Sequence, residues 1–444
     1  MTKFQLILTG VFGGFLVLGI IVFAMHRGGG AADRAPVTIW GFVDENDMSK
    51  LLEDAGLQND PSTPVTYVRK DPATFDSDFV SAIADGDAPD LVMVSQDQFY
   101  KEKNRLFPIP YSSLDQRTFK DTYVEEAELF MQPDGIYAIP FVMDPYVMYW
   151  NRNIFQNAGI SQPPQYWDEF YDLARTLTKK DGALNITRSA VGLGEYSNVT
   201  HAKNMLATLI IQAGSPITTA DSSSGRIMST FNDRGDNPTV PSEAAINFFT
   251  EFSDPAKDTY SWNRSLPDSK DMFISGDLAT YFGPASELFE IQAKNPNLNF
   301  DVTYMPQSRD AQNKMTFGDL QGLSLVKSSQ HIAAAFRVMT LLTSAKSLAL
   351  LSQMTSLPPV RRDLLSTKPS SPYGIVFYDS AIFAKAWTDP DNTATDKIFG
   401  DLIESITSGR SRPTQAITNA GLEIQQLLDA NSTAPKAPSS VPTA

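Results

Sequence analysis

The sequence predicts an α/β protein built on a parallel or mixed sheet, and three observations carry that expectation. Short apolar strands alternate with helical stretches between residues 37 and 95. The last of these strands is apolar from Leu91 to Val94, as expected of a strand covered on both faces. The chain has 444 residues, 42% hydrophobic and 20% charged, which is globular composition with length for two or three domains.

The elements follow in order. VTIW (Val37–Trp40) is a strand, and Asp47 caps a helix running to Leu52. PVTYV (Pro64–Val68) is a second strand, Phe75–Ile83 a helix, and DLVMVS (Asp90–Ser95) a third strand. Pro163 and Pro164 precede a helix over Tyr166–Lys179, where Trp167, Phe170, Leu173, Ala174 and Leu177 recur at helical spacing and Gly182 is a stop signal. Further helices are expected over Ala202–Gln212 and Ser242–Phe252. Ser328 or Ser329 caps a long amphipathic helix carrying Ile332, Phe336, Met339 and Leu342. No repeat of fixed period interrupts this order.

Both ends differ from the body. Phe4–Met25 carries no charge and as a helix spans roughly 33 Å, enough to cross a bilayer core. A cleaved signal has a shorter apolar stretch of about 7–15 residues. The small residues Gly28–Ala32 leave room for that reading, but an uncleaved anchor is preferred. Residues 1–27 are therefore read as anchor and 28–36 as a Gly/Ala linker. Residues 431–444, NSTAPKAPSSVPTA, are read as a disordered tail. The basic residues flanking the span do not by themselves place the body outside.

Charge and residue usage exclude several classes. The formal net charge of -15 argues against nucleic acid as a partner, because phosphate binding needs a basic face. With no cysteine there is no disulfide, no thiolate metal site, no cysteine nucleophile and no lipid-bearing cysteine. His26, His201 and His331 stand far apart without metal-ligand spacing and read as surface or packing residues, so no metal or cofactor is expected. No phosphate-binding P-loop occurs, and Gly192-Leu193-Gly194 lacks the third glycine of a dinucleotide turn. Ser324–Lys327 matches a β-lactamase-type SxxK pattern without its partner motifs. Arg234-Gly235-Asp236 reads as a polar turn, and Asp389–Asp396 lacks the offsets of a calcium loop.

The segment Asp134–Thr178 carries the functional reading. Asp134-Gly135, Ala138-Ile139-Pro140, Trp150-Asn151, Phe155, Ala158-Gly159, Pro163-Pro164 and Trp167-Asp168-Glu169 together resemble the central signature of bacterial extracellular solute-binding proteins of the maltose-binding group. Tyr166 stands where that group usually has a capping threonine. Val37–Phe42, Ala88–Gln96, Leu106–Ile109, Met272–Glu287 and Phe317–Ser329 resemble further pieces of the group in the same order. The resemblance implies a two-lobed periplasmic-binding-protein-like fold of type II. Lobe 1 would comprise 37–142 plus 303–355, and lobe 2 would comprise 143–302 plus 356–430. It also implies a ligand held between the lobes, a body outside the cytoplasmic membrane, delivery to an ABC permease and no catalysis. Without a cysteine to lipidate, the amino-terminal helix would provide the tether.

Candidate site residues come from two sources. In open α/β sheets ligands bind beyond the carboxyl ends of the strands, which selects Phe42, Asp44 and Glu45 after the first strand and Ser95, Gln96 and Asp97 at the third. The resemblance adds Asp144, Glu195, Tyr196, Asn198, Gly283, Ser286, Asp319 and Gln321. Carboxylates and amides suit sugar hydroxyls, and aromatic faces suit the apolar faces of a pyranose. Phe42, Tyr196, Trp262 and Phe282 are the stacking candidates, although core packing is the common fate of an aromatic residue. A sugar is favoured as ligand over a polyamine or a peptide. Two other functions remain open: an adhesion or scaffold protein reusing the fold, and a glycosidase using Asp144 and Glu195.

Overall fold

The computed structural model describes residues 35–221, 225–309, 311 and 313–432. The apolar segment 4–25, nearly all of the expected linker and residues 433–444 lie outside the described residues. Among the described residues no single helix is long and apolar enough to cross a membrane. The expected tail starts too early, because residues 431 and 432 close the last helix, Pro413–Ser432.

The elements that matter for the site are, in chain order, β1 (Val37–Gly41), α1 (Glu45–Asp54), β2 (Val65–Arg69), α2 (Phe75–Asp85), β3 (Leu91–Ser95), α3 (Gln96–Glu102), β4 (Ile139–Asn151), α4 (Ala202–Gln212), β5 (Leu278–Pro284), α5 (Glu287–Lys294) and β6 (Thr316–Val326). The chain divides into two compact units.

The first unit comprises residues 35–95, Glu102–Val142 and Leu320–Ser366. Its sheet order is β2-β1-β3-β6. β1 runs parallel to both β2 and β3, while β6 returns antiparallel, setting Gln321 opposite Ser95 and Leu325 opposite Leu91. The alternating strand β1 buries Val37 and Ile39, and β3 buries Leu91 through Val94, as its unbroken apolar run requires. α1 buries Met48, Leu51 and Leu52, one helical stripe. Asp44 caps it by accepting a 2.9 Å hydrogen bond from the Asn46 amide, correcting the expectation for Asp47. α2 buries Phe75 and Phe79, whose rings stack at 5.6 Å. The long helix expected after Ser329 is two helices, Ile332–Leu342 and Ala345–Thr355, bent by 60° where Ser344 caps the second. Ser329 accepts from the His331 amide ahead of the first.

The second unit comprises Gln96–Lys101, Met143–Asp319 and residues 367–432. β4 is flanked by β5 on one edge and Phe300–Thr303 on the other, both antiparallel, and β5 pairs in parallel with Ile186–Val191. β5 is buried along its whole length. Aromatic rings fill the core, with Trp167 and Phe170 against Phe282, and Tyr149 and Phe273 against Tyr281 and Phe300. Each such pair contributes about 0.5–1.5 kcal/mol beyond burial alone.

The unit boundaries differ from the expected lobes in three places, each with a physical cause. Residues 96–101 join the second unit, where Lys101 pairs with Asp391 at 3.0 Å. Residues 303–319 join it too, since Gln307 N–H donates to Gln165 O at 2.9 Å and Thr316 Oγ1 to Tyr146 O at 2.7 Å. Residues 356–366 belong to the first unit, where Val124 N–H donates to Val360 O at 3.0 Å.

Candidate functional site

Elements of the second unit bring one polar cluster together. β4 contributes Asp144 and Tyr146, β6 contributes Asp319, and the first turn of α3 contributes Gln96 and Asp97. His201 precedes α4, and Ser286 and Glu287 open α5. Strand alternation does not explain this set. It arises because β4 and β6 carry acids within their length while three helices start beside them.

The Ser286 amide donates to Asp144 Oδ1 at 3.0 Å, and the Gln96 amide makes a long 3.4 Å contact to Asp319 Oδ1. Both carboxyls keep part of their surface open, yet both are desolvated by the protein around them. Burial pushes Asp144 up to about 6; Glu287 adds to the rise, while the Ser286 hydrogen bonds and His201 oppose it. Burial also pushes Asp319 up to about 7, helped by the negative charges of Asp97 and Asp144 and opposed by His201. The cluster thus offers acceptors that hold a proton unusually well, one of them near neutral pH.

Behind these acids lies a second layer. Glu287 is buried and accepts from Tyr281 Oη at 2.5 Å, and it meets His201 Nε2 at 3.0 Å and Lys270 Nζ at 3.1 Å. Burial works against its ionisation, but the bonds from His201 and Tyr281 and the Lys270 charge outweigh it and hold the carboxyl below its ordinary range. Tyr146 packs edge-on against His201 and Phe317 and accepts from Asn204 Nδ2 at 2.6 Å. Alongside, Lys203 Nζ pairs with the buried Asp389 at 2.5 Å.

The expected residues fall into three groups. Gln96, Asp97, Asp144, Ser286 and Asp319 meet in this cluster, Ser286 through its backbone amide. Other expected residues in the second unit serve its framework. Glu195 pairs with Arg264 at 2.8 Å, and Tyr196 donates to Asp396 at 2.5 Å with its ring over Gly400. Asn198 ties down Asn263 and Leu266 and accepts from Trp262 Nε1 at 3.0 Å. The stacking expectation is corrected for Trp262 and Phe282, which are 0% and 3% exposed and offer no open face. Gly283 is required sterically, since a Cβ there would lie 2.4 Å from Glu287 Oε2.

The remaining five belong to the first unit. Phe42 meets Phe75 edge-on at 5.3 Å, and Asp44 caps α1 and pairs with Arg69 at 3.5 Å. Glu45 is exposed in the first turn of α1, and Ser95 and Gln321 face each other across β3 and β6. Sequence reasoning missed His201, Glu287 and Tyr146. The histidine was set aside as packing, and the structure corrects this by placing it within the polar cluster.

Two α/β units and a cluster of hydrogen-bonding acids, set within two strands and beside helix starts, fit a solute-binding protein. The chain belongs to the bacterial extracellular solute-binding protein family, whose model matches residues 45–349. The family is extracellular, which places the body of this chain on the extracytoplasmic side. A binding protein of Brucella abortus (strain 2308) is 22% identical over 323 residues, covering 70% of this chain and 72% of that protein. Solved structures share the fold at lower identity. The cyclic α-maltosyl-1,6-maltose binding protein of Arthrobacter globiformis is 15% identical with a TM-score of 0.72, covering 89% of this chain and 99% of that one. A cyclo/maltodextrin-binding protein solved with maltotetraose is 16% identical with a TM-score of 0.71, covering 91% and 99%. A Thermotoga lettingae ABC-transporter solute-binding protein bound with α-D-tagatose is 18% identical with a TM-score of 0.66, covering 89% and 100%.

Proposed function

We propose that this protein captures a carbohydrate outside the cytoplasmic membrane, releases it unchanged to an ABC permease, and is tethered by its apolar segment Phe4–Met25. The observation that carries the ligand class is the Asp144–Asp319 pair with the Gln96 amide beside it. Acceptors in such density, with an amide among them, match a molecule whose surface is mostly hydroxyl donors. A phosphate or carboxylate ligand would be repelled by the same acids. Similar folds solved with maltotetraose, with mannotriose and with α-D-tagatose support the same class. The tether rests on the length and uncharged composition of the segment.

A thermal-shift screen of the full chain in detergent tests this reading, using mono- to tetrasaccharides, polyamines and short peptides. Saccharides should raise the melting temperature, because a ligand that binds only the folded state stabilises it by mass action. Stabilisation by polyamines alone would replace the carbohydrate with a cation. Removal of residues 1–27 should release the protein from membranes.

A further inference from the structure

We propose that His201 contacts the ligand and helps set its specificity, with Glu287 as the positioning residue that fixes which ring nitrogen is offered. The inference deepens the carbohydrate reading and rests on it. His201 adopts φ 60° and ψ 29°, a left-handed backbone that most side chains avoid, immediately before α4. Its ring is held between Glu287 Oε1, 3.0 Å from Nε2, and the edge of Tyr146. The chain sustains this arrangement with a buried carboxylate, a tyrosine hydroxyl committed to it and a glycine at 283 that leaves the carboxylate room.

The consequence is chemical. An ionised Glu287 only accepts, so Nε2 must carry the proton that it shares with Glu287. In the neutral ring Nδ1 is then a bare acceptor. Nδ1 has no partner among the described residues, and the side chain is 28% exposed. Glu287 follows Ser286, whose amide holds Asp144 at 3.0 Å, so the ring belongs to the same cluster as that carboxyl. The charged groups around His201 are Glu287, with Lys270 and Glu290 behind it, then Asp144 from β4 and Asp319 from β6. A neutral His201 therefore adds a directional acceptor for one hydroxyl without adding charge. A Glu or Asp in its place would add a further negative charge to the cluster.

Nitrogen-15 NMR of histidine-labelled full-length protein at pH 8 reads the tautomer directly. The proposal expects an Nε2-protonated ring for His201, with its Nδ1 resonance moving when maltotetraose, mannotriose or α-D-tagatose binds. His201→Asn keeps a side chain tolerant of the left-handed backbone, and His201→Phe keeps the ring without its nitrogens. Both should weaken saccharide binding about tenfold, the loss of one hydrogen bond. The ligand-free melting temperature of His201→Asn should fall modestly, because buried Glu287 loses its 3.0 Å partner, so affinities are compared well below each variant's melting transition. Glu287→Gln should weaken binding less than either. An Nδ1-protonated ring in the free protein, or His201→Asn binding as tightly as the parent, overturns the role of His201 and leaves the carbohydrate reading intact. Failure of the parent protein to bind any saccharide removes both.

Discussion

The Ser286 amide donates to Asp144 Oδ1 at 3.0 Å, so the first turn of α5 is tied to the middle of β4 by the same carboxylate proposed to meet the ligand. Ser286 holds this carboxyl through both its amide and its side chain, while part of the carboxyl's surface stays open. That arrangement lets a desolvated acid hold a fixed position without an ion-pair partner. It also leads to tests that separate framework residues from ligand-facing ones.

Trp262→Phe should cost about 1–3 kcal/mol in denaturant unfolding, because it leaves the buried Asn198 Oδ1 without its 3.0 Å donor. Saccharide affinity should stay unchanged, since Trp262 has no exposed face. A loss of affinity with stability intact would restore it as a stacking residue.

Lys203 and Asp389 are 8% and 1% exposed in their side chains and sit 2.5 Å apart. Lys203→Met strands a buried carboxylate and should destabilise by about 3–5 kcal/mol. The double variant Lys203→Met with Asp389→Leu should recover much of that loss. Unfolding free energies of all variants complete the double-mutant cycle.

Asp319 gives stability a definite pH slope. Its folded pKa, about 7, lies above the ordinary carboxyl value, so between roughly pH 4 and 7 the folded state holds a proton that the unfolded state has released. The stabilising contribution of that proton is complete at the acid end and is lost as pH rises through 7. Asp319→Asn should flatten this part of the profile and raise stability at pH 8 relative to the parent. An unchanged slope in urea titrations across this window would contradict the burial argument.

Gly283→Ala should destabilise by about 1–3 kcal/mol, since the new methyl would lie 2.4 Å from Glu287 Oε2 and must displace it. The displacement should also weaken saccharide binding through His201, so affinity and stability should fall together.

Much of the framework was legible because it follows from local pattern. The apolar run Leu91–Val94 reads as a doubly covered strand, and the stripe Met48, Leu51, Leu52 as a helix face. Ala202–Gln212 matches the expected helix residue for residue. Boundaries were less legible, since the helix expected from Tyr166 begins at Glu169 and its end at Leu177 is set by an extended Thr178. At the site, Asp144 and Asp319 stood out through their place in a recognisable order of motifs. Aromatic identity misled, because a tryptophan suits a sugar face and a core equally well. Only tertiary packing puts Trp262 beside Asn198. Glu287 and His201 were illegible for the same reason, being 86 positions apart in sequence and joined only once β5 and α4 are in place.

Isothermal titration of the full-length protein with maltotetraose, mannotriose and α-D-tagatose, repeated on Asp144→Asn and Asp319→Asn, tests the central claim most directly. The account predicts one saccharide bound per chain for at least one of these sugars, with affinity reduced about 10–100-fold by either substitution, the range for losing a hydrogen bond to a charged group. Equal binding by the parent and both variants, or no binding heat from any of the sugars, would contradict it.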